Sequence, residues 1–268
     1  MLRKFRALMP AVLLCGLVYG DAGRQEAVLD RNYKGSYPDL FTGQFDRVRL
    51  LVHQAQLEAS MRLGFFQYQQ GFQYPLIVRF DDSAPIGIEH ALAYVRMGQN
   101  STGQFMQEMV VNLAEMSRNS NDFDQVFTHE MTHAVLNDAC GGRTSEHLPH
   151  WVQEGLAQYV SGEGDARVAE AAKHVHKSQA ARLLYPLDAP YSAMGYPQYY
   201  LAIQYMFDKH SSNSISAFAR DLIAGQSVPD AIQDAVDMPY DRFQQEVRDY
   251  SLKRFTDLAV PDFQAVFN

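Results

Sequence analysis

His129-Glu130-Met131-Thr132-His133 places two imidazoles four residues apart, with a carboxylate beside the first. On a helix, positions four apart stack on one face, so both rings can reach one ion while Glu130 lies next to them. H-E-x-x-H on a helix is the spacing of a hydrolytic zinc site, which needs nitrogen donors for the metal and a separate base for the attacking water. Two histidines leave zinc short of a ligand. Further along, Leu148-Pro149-His150-Trp151-Val152-Gln153-Glu154-Gly155-Leu156-Ala157-Gln158-Tyr159 is apolar and helical in character, and Glu154 is the one acid inside it. Two histidines with a distant glutamate leave the fourth zinc position open to water, the pattern of a catalytic rather than a structural site.

Other donors compete for that third place. A histidine-only extension of the motif needs Gly and His where this chain has Leu136 and Ala139. Asp138 is rotated away from the ligand face of a continuing helix, and Gly141-Gly142 ends that helix. His147 and His150 are nearer competitors: His150 is one helical turn before Glu154, and either lines the site or stands solvated beside it. Cys140 reads as a buried thiol, less suited than Glu154 because a thiolate would neutralise the ion's charge. Asn121, Asp122 and Asp124 supply capping and dipole-compatible acids ahead of Phe123, Val126, Phe127, Met131, Ala134 and Val135, so a helix carrying both histidines is locally consistent.

Together the two segments resemble the gluzincins, and more narrowly the peptidase MA-like bacterial proteins, whose active-site helices read H-E-x-x-H and then L-P-x-W-x-x-E-G-L-A-x-Y. Leu148, Pro149, Trp151, Glu154, Gly155, Leu156, Ala157 and Tyr159 carry the second match. The resemblance implies one zinc ion per chain on His129, His133 and Glu154, with Glu130 as general base. It also implies an α+β, zincin-like fold: an N-terminal lobe with a small mixed sheet and long helices, a mostly helical C-terminal lobe, and the active-site cleft between them. The likeness is specific over about residues 122–160 and loose over 45–115 and 160–255. Proteins of this kind often read Y-x-Q-S beyond the second helix, and Tyr196-Pro197-Gln198-Tyr199 is similar with Tyr in place of Ser. A phenol there would hydrogen-bond the oxyanion of hydrolysis; Tyr196 is the first candidate, Tyr199 and Tyr200 the alternatives. The chain has 15 tyrosines, and Tyr200, Ile203 and Phe207 are spaced as a core stripe, so packing competes with chemistry at each.

Arg3, Lys4 and Arg6 precede the apolar run Ala7 to Tyr19, which ends near Gly20-Asp21-Ala22. A basic start, a short apolar stretch and small residues at its end describe a secretory signal peptide, with a retained N-terminal anchor as the alternative. Export makes the protein secreted or periplasmic; Cys140 would then be the single cysteine of the mature chain, with no intramolecular disulfide. The formal charge is −8, and loss of the three leader bases takes it to about −11. An acidic surface without basic runs excludes nucleic acid and anionic membranes as natural partners, leaving a peptide or protein substrate.

The 268 residues are divided by pattern into a leader (1–20), an extended lead-in (21–44), an N-terminal lobe with both active-site helices (45–160) and a helical C-terminal lobe (161–268). Apolar spacing predicts a long helix from Gln44 to about Gln70, then strands over Tyr74–Phe80, His90–Met97 and Met106–Met116. The resemblance implies that residues near Val110 to Leu113 form the sheet edge to which substrate backbone adds, although the same pattern suits an ordinary buried strand. The resulting expectation is a zinc metallopeptidase. Two other functions fit the same motif: a zinc-holding binding protein, and hydrolysis of a nonpeptide amide such as a cell-wall crosslink.

Overall fold

Pro38 and Asp39 open α1 (Pro38–Leu63), where a missing N–H and an acidic first turn suit a helix start. Gly64, at φ 72°, ends it by donating its N–H to the carbonyls of Met61 and Ser60. The helix thus begins inside the expected lead-in and stops short of Gln70; Phe66–Gln70 is a separate 3-10 turn. The computed structural model describes residues 24–259 apart from 86, 89, 100–102, 119–122, 177, 185 and 190–194. The expected leader, the capping residues Asn121 and Asp122, and Tyr191 to Met194 lie outside the described residues.

β1 (Val28–Leu29), β2 (Leu76–Asp81), β3 (Ala93–Gln99) and β4 (Phe105–Asn112) form one mixed sheet in the order β1-β2-β4-β3. β1 and β4 run parallel to β2, and β3 runs antiparallel to β4. Two expectations are corrected here. The strand predicted to reach Met116 stops at Asn112, whose side chain accepts a hydrogen bond from the Glu115 N–H and so turns the chain into α2 (Leu113–Arg118). The segment around Val110 is not a sheet edge, because β4 is paired on both sides; among the described residues the edge strands are β1 and β3.

The rest is helical: α3 (Phe123–Ala139), α4 (Thr144–His147), α5 (His150–Ser161), α6 (Gly164–Lys173), α7 (Ala180–Leu183), α8 (Gly195–Lys209), α9 (Ser212–Ile223), α10 (Val228–Val236) and α11 (Tyr240–Leu258). The fold is therefore α+β, a small mixed sheet beside a mainly helical remainder. Its main core joins Val78 and Met109 of the sheet to Leu63, Met131, Trp151, Ile203, Phe218 and Val247, and so draws on chain from both sides of residue 160. Trp151 stacks on Phe218 with ring centroids 5.9 Å apart, tying α5 to α9. No helix among the described residues is long and apolar enough to cross a membrane.

α5 is sandwiched between α3 and α8, and Gly155 sets its distance from α8. A Cβ there would stand 2.6 Å from the Tyr199 carbonyl oxygen and 2.9 Å from Ile203 Cγ1. Backbone cannot yield as a flexible side chain can, so a methyl group would push α5, and Glu154 with it, off α8. Gly155→Ala is expected to destabilise the protein by about 1–3 kcal/mol, read as a lower urea midpoint with unchanged slope; an unchanged midpoint would show that this contact does not set the helix spacing.

Candidate metal centre

α3 has two chemically distinct faces. Phe127, Met131, Ala134 and Val135 are buried in the core, whereas Val126, His129, Glu130, His133 and Asn137 line a cleft of about 570 Å³. The apolar residues recur at three- and four-residue spacing, which is why burying one face of this helix necessarily presents the other to the cleft. α5 adds Gln153 and Glu154 to the same cavity, and β3 closes one side with Ala93, Tyr94 and Val95.

His129, His133 and Glu154 form a group that could hold a metal ion, each offering one ligand atom within 4.8 Å of the others. His129 Nε2 and His133 Nε2 are 3.2 Å apart. Glu154 meets them through different oxygens, Oε2 at 3.5 Å from His129 Nε2 and Oε1 at 3.5 Å from His133 Nε2. A tetrahedral ion with bonds of about 2.0–2.2 Å requires ligand atoms about 3.3–3.6 Å apart, close to these separations. His147 and His150 are not part of the group. His150 is exposed, and its ring meets those of Tyr196 and Tyr199 edge-on, with centroids 5.8 Å away in both cases. Asp138 is committed elsewhere: it accepts hydrogen bonds from the Gln73 and Tyr74 N–H groups at 3.0 and 2.7 Å, pinning the end of α3 to the approach of β2. Burial pushes the Cys140 thiol up to about 11, and it too lies outside the group.

Behind His129 stands Glu163, which the sequence did not single out. His129 Nδ1 donates to Glu163 Oε1 at 2.6 Å, so Nε2 is the ring nitrogen that faces the cleft. Arg167 Nη2 meets the other oxygen of Glu163 at 3.0 Å. An acid behind a ligating imidazole fixes its tautomer and raises its basicity. Nothing in the local pattern marks Glu163 for this role: it directly follows Gly162, which caps α5 in the left-handed conformation, and is 93% buried at the start of α6, a helix that packs on α8.

The charges here are matched to a cation. Burial opposes ionisation of Glu154 and Glu163, yet hydrogen bonds to His129 outweigh it and hold both carboxyls below their usual range. Burial likewise opposes a charged His129, but Glu154 and Glu163 raise that imidazole to about 10. Burial and the neighbouring His129 push His133 down to about 4. One proton thus serves a site with two ring nitrogens turned inward, and a divalent cation can exchange for it. Glu130 is raised to about 8 by burial, with Glu154 and Glu163 adding repulsion; the Val95 N–H donates to its carboxylate. With Arg167 paired to Glu163, Glu130 and Glu154 leave an acidic lining beside the two inward-turned ring nitrogens, suited to a cation.

Among the three tyrosines, only Tyr196 lines the cleft, 46% exposed. Tyr199 is buried, and Tyr200 is buried against Gly164, donating its hydroxyl to Gln204 at 3.1 Å. No known protein family matches this chain, and no curated protein or solved structure is detectably similar to it. Glu163→Ala is expected to weaken divalent-metal affinity by about 10–100-fold, measured by competition with a chromophoric chelator. Unchanged affinity would separate Glu163 from the centre.

Proposed function

We propose that this chain is a zinc-dependent peptidase on a zincin-type fold, acting in a secreted or periplasmic setting. The observation that carries this reading is the triangle of ligand atoms with Glu130 beside it, outside the ligand set and tied to the edge strand. Two imidazoles and one carboxylate suit zinc and leave a coordination position for water. The likeness of the two helices to those of gluzincins supports the same conclusion, and the basic-then-apolar start of the chain supports export.

When bound, zinc supplies Lewis-acid polarisation of a carbonyl and a water acidified toward neutrality. Glu130 takes the water's proton on its carboxylate and passes it to the leaving amine nitrogen. A base with a raised affinity for protons suits both steps, and a nearby cation draws that affinity down toward neutrality. β3 holds the substrate backbone. The Leu92 carbonyl accepts from the Asn112 N–H of β4, so by alternation Ala93, Val95 and Met97 turn their backbone groups outward. Val95 uses its N–H on Glu130, which places the general base beside the edge where an extended peptide would add. Tyr196 donates its phenol to the oxyanion; burial and the Glu154 charge raise its pKa and keep the proton on it.

Glu130→Gln is expected to retain zinc while lowering hydrolysis by at least about 100-fold, read by elemental analysis and by mass-spectrometric mapping of a peptide-library digest. Full activity in that variant would remove Glu130 from the chemistry. Wild-type protein that holds stoichiometric zinc and cleaves nothing in the library would make the chain a zinc-holding protein instead.

A further inference from the structure

Beside the packed face of α1, the strand segment before it and the helix diverge around two adjoining cavities of about 340 and 310 Å³. Ala27, Leu29 and Arg31, alternate residues sharing one side of an extended chain, form one wall. Phe45, Arg49, Val52 and His53, at three- and four-residue spacing on α1, form the other. Arg31, Phe45 and Arg49 line both cavities and so stand at their join, whereas Glu26 borders only one and Asp46 only the other. The Arg31 guanidinium lies 5.7 Å from the Phe45 ring centroid, which orients it over the groove.

Acidic residues outnumber Lys and Arg by 31 to 23 in this chain, so guanidiniums readily find carboxylates. Arg24, Arg47, Arg62, Arg79, Arg96 and Arg167 each do. Among the described residues, Arg31 and Arg49 have no carboxylate partner; Arg182, Arg220 and Arg248 have none either, but Arg31 and Arg49 are the two that line these cavities. One unpaired guanidinium thus lies over the Phe45 ring and a second, Arg49, lines the same two cavities beside Leu29 and Val52. We propose that the groove binds an amphipathic organic anion, its carboxylate between Arg31 and Arg49 and its aliphatic or aryl body along Phe45, Leu29 and Val52. Guanidinium recognises a carboxylate through paired donors. The cavity volumes are at the lower end for small-ligand sites, which favours one such molecule over a folded partner.

The test is calorimetric titration of the whole protein with decanoate, alongside decanol and decylammonium. Decanoate is expected to bind once per chain, with affinity reduced at least about tenfold by the double substitution Arg31→Gln/Arg49→Gln. Decanol and decylammonium should bind far more weakly, and a chelator that strips the metal centre should leave decanoate binding unchanged. Both arginines are exposed, so the variant is expected to keep the wild-type circular dichroism and melting curve; Arg49→Gln alone, with a smaller loss, serves if it does not. No binding up to about 1 mM, equal binding of decanol, or affinity unchanged by the substitutions would overturn the proposal. Loss of binding on chelation instead would place the carboxylate at the metal centre and overturn it equally.

Discussion

Glu130, Glu154 and Glu163 crowd the same two imidazoles in a partly buried corner, and their mutual repulsion is the constraint on which the surrounding structure depends. Like charges in a low-dielectric setting are costly unless each is paired, and here each has a different remedy. Glu163 is flanked by His129 and Arg167, Glu130 accepts the Val95 N–H, and Glu154 faces both inward-turned ring nitrogens. The acids and their partners come from four elements, α3, α5, α6 and β3. The electrostatics therefore demand that the core hold those elements in fixed relation. Gly155 against Tyr199 and Trp151 on Phe218 hold α5, Asp138 on the backbone at Gln73 and Tyr74 holds α3, Gly164 against Tyr200 holds α6, and pairing with β4 holds β3.

The parts of this site that depend on helical periodicity were legible in the sequence. His129, Glu130 and His133 share a face because of their spacing, and Glu154 stands out as the lone acid of an apolar helix. What periodicity does not encode is which distant residue closes over a helix. Glu163 enters the centre because α6 folds back after Gly162, and Val95 because β3 pairs with β4 on one side only. The choice among Tyr196, Tyr199 and Tyr200 was likewise tertiary: all three share the start of α8, but only one of them faces the cleft. The resemblance implies a sheet edge near Val110 to Leu113, whereas the pattern suits a buried strand equally well, because a run such as Met109-Val110-Val111 looks alike whether paired on one side or two. The end of that strand was missed through a single side chain, the cap supplied by Asn112.

α1 lies beside both proposed sites. One part of its surface, with Val48, Ala55, Ala59 and Leu63, is buried in the core that backs α3. The adjacent part, with Phe45, Arg49 and His53, borders the groove toward β1. An acidic cleft suited to a cation and a groove with two unpaired guanidiniums thus occupy separate places on one scaffold, and neither shares a lining residue with the other. That separation lets each be altered without touching the ligands of the other.

X-ray absorption spectroscopy of the zinc-loaded protein, after desalting, tests the central claim most directly. Two imidazoles and oxygen ligands in a four-coordinate shell, with bonds of about 2.0–2.2 Å and one ion per chain, is the predicted result. A shell without imidazole scattering, a sulfur ligand, or protein that emerges from desalting without zinc would contradict it.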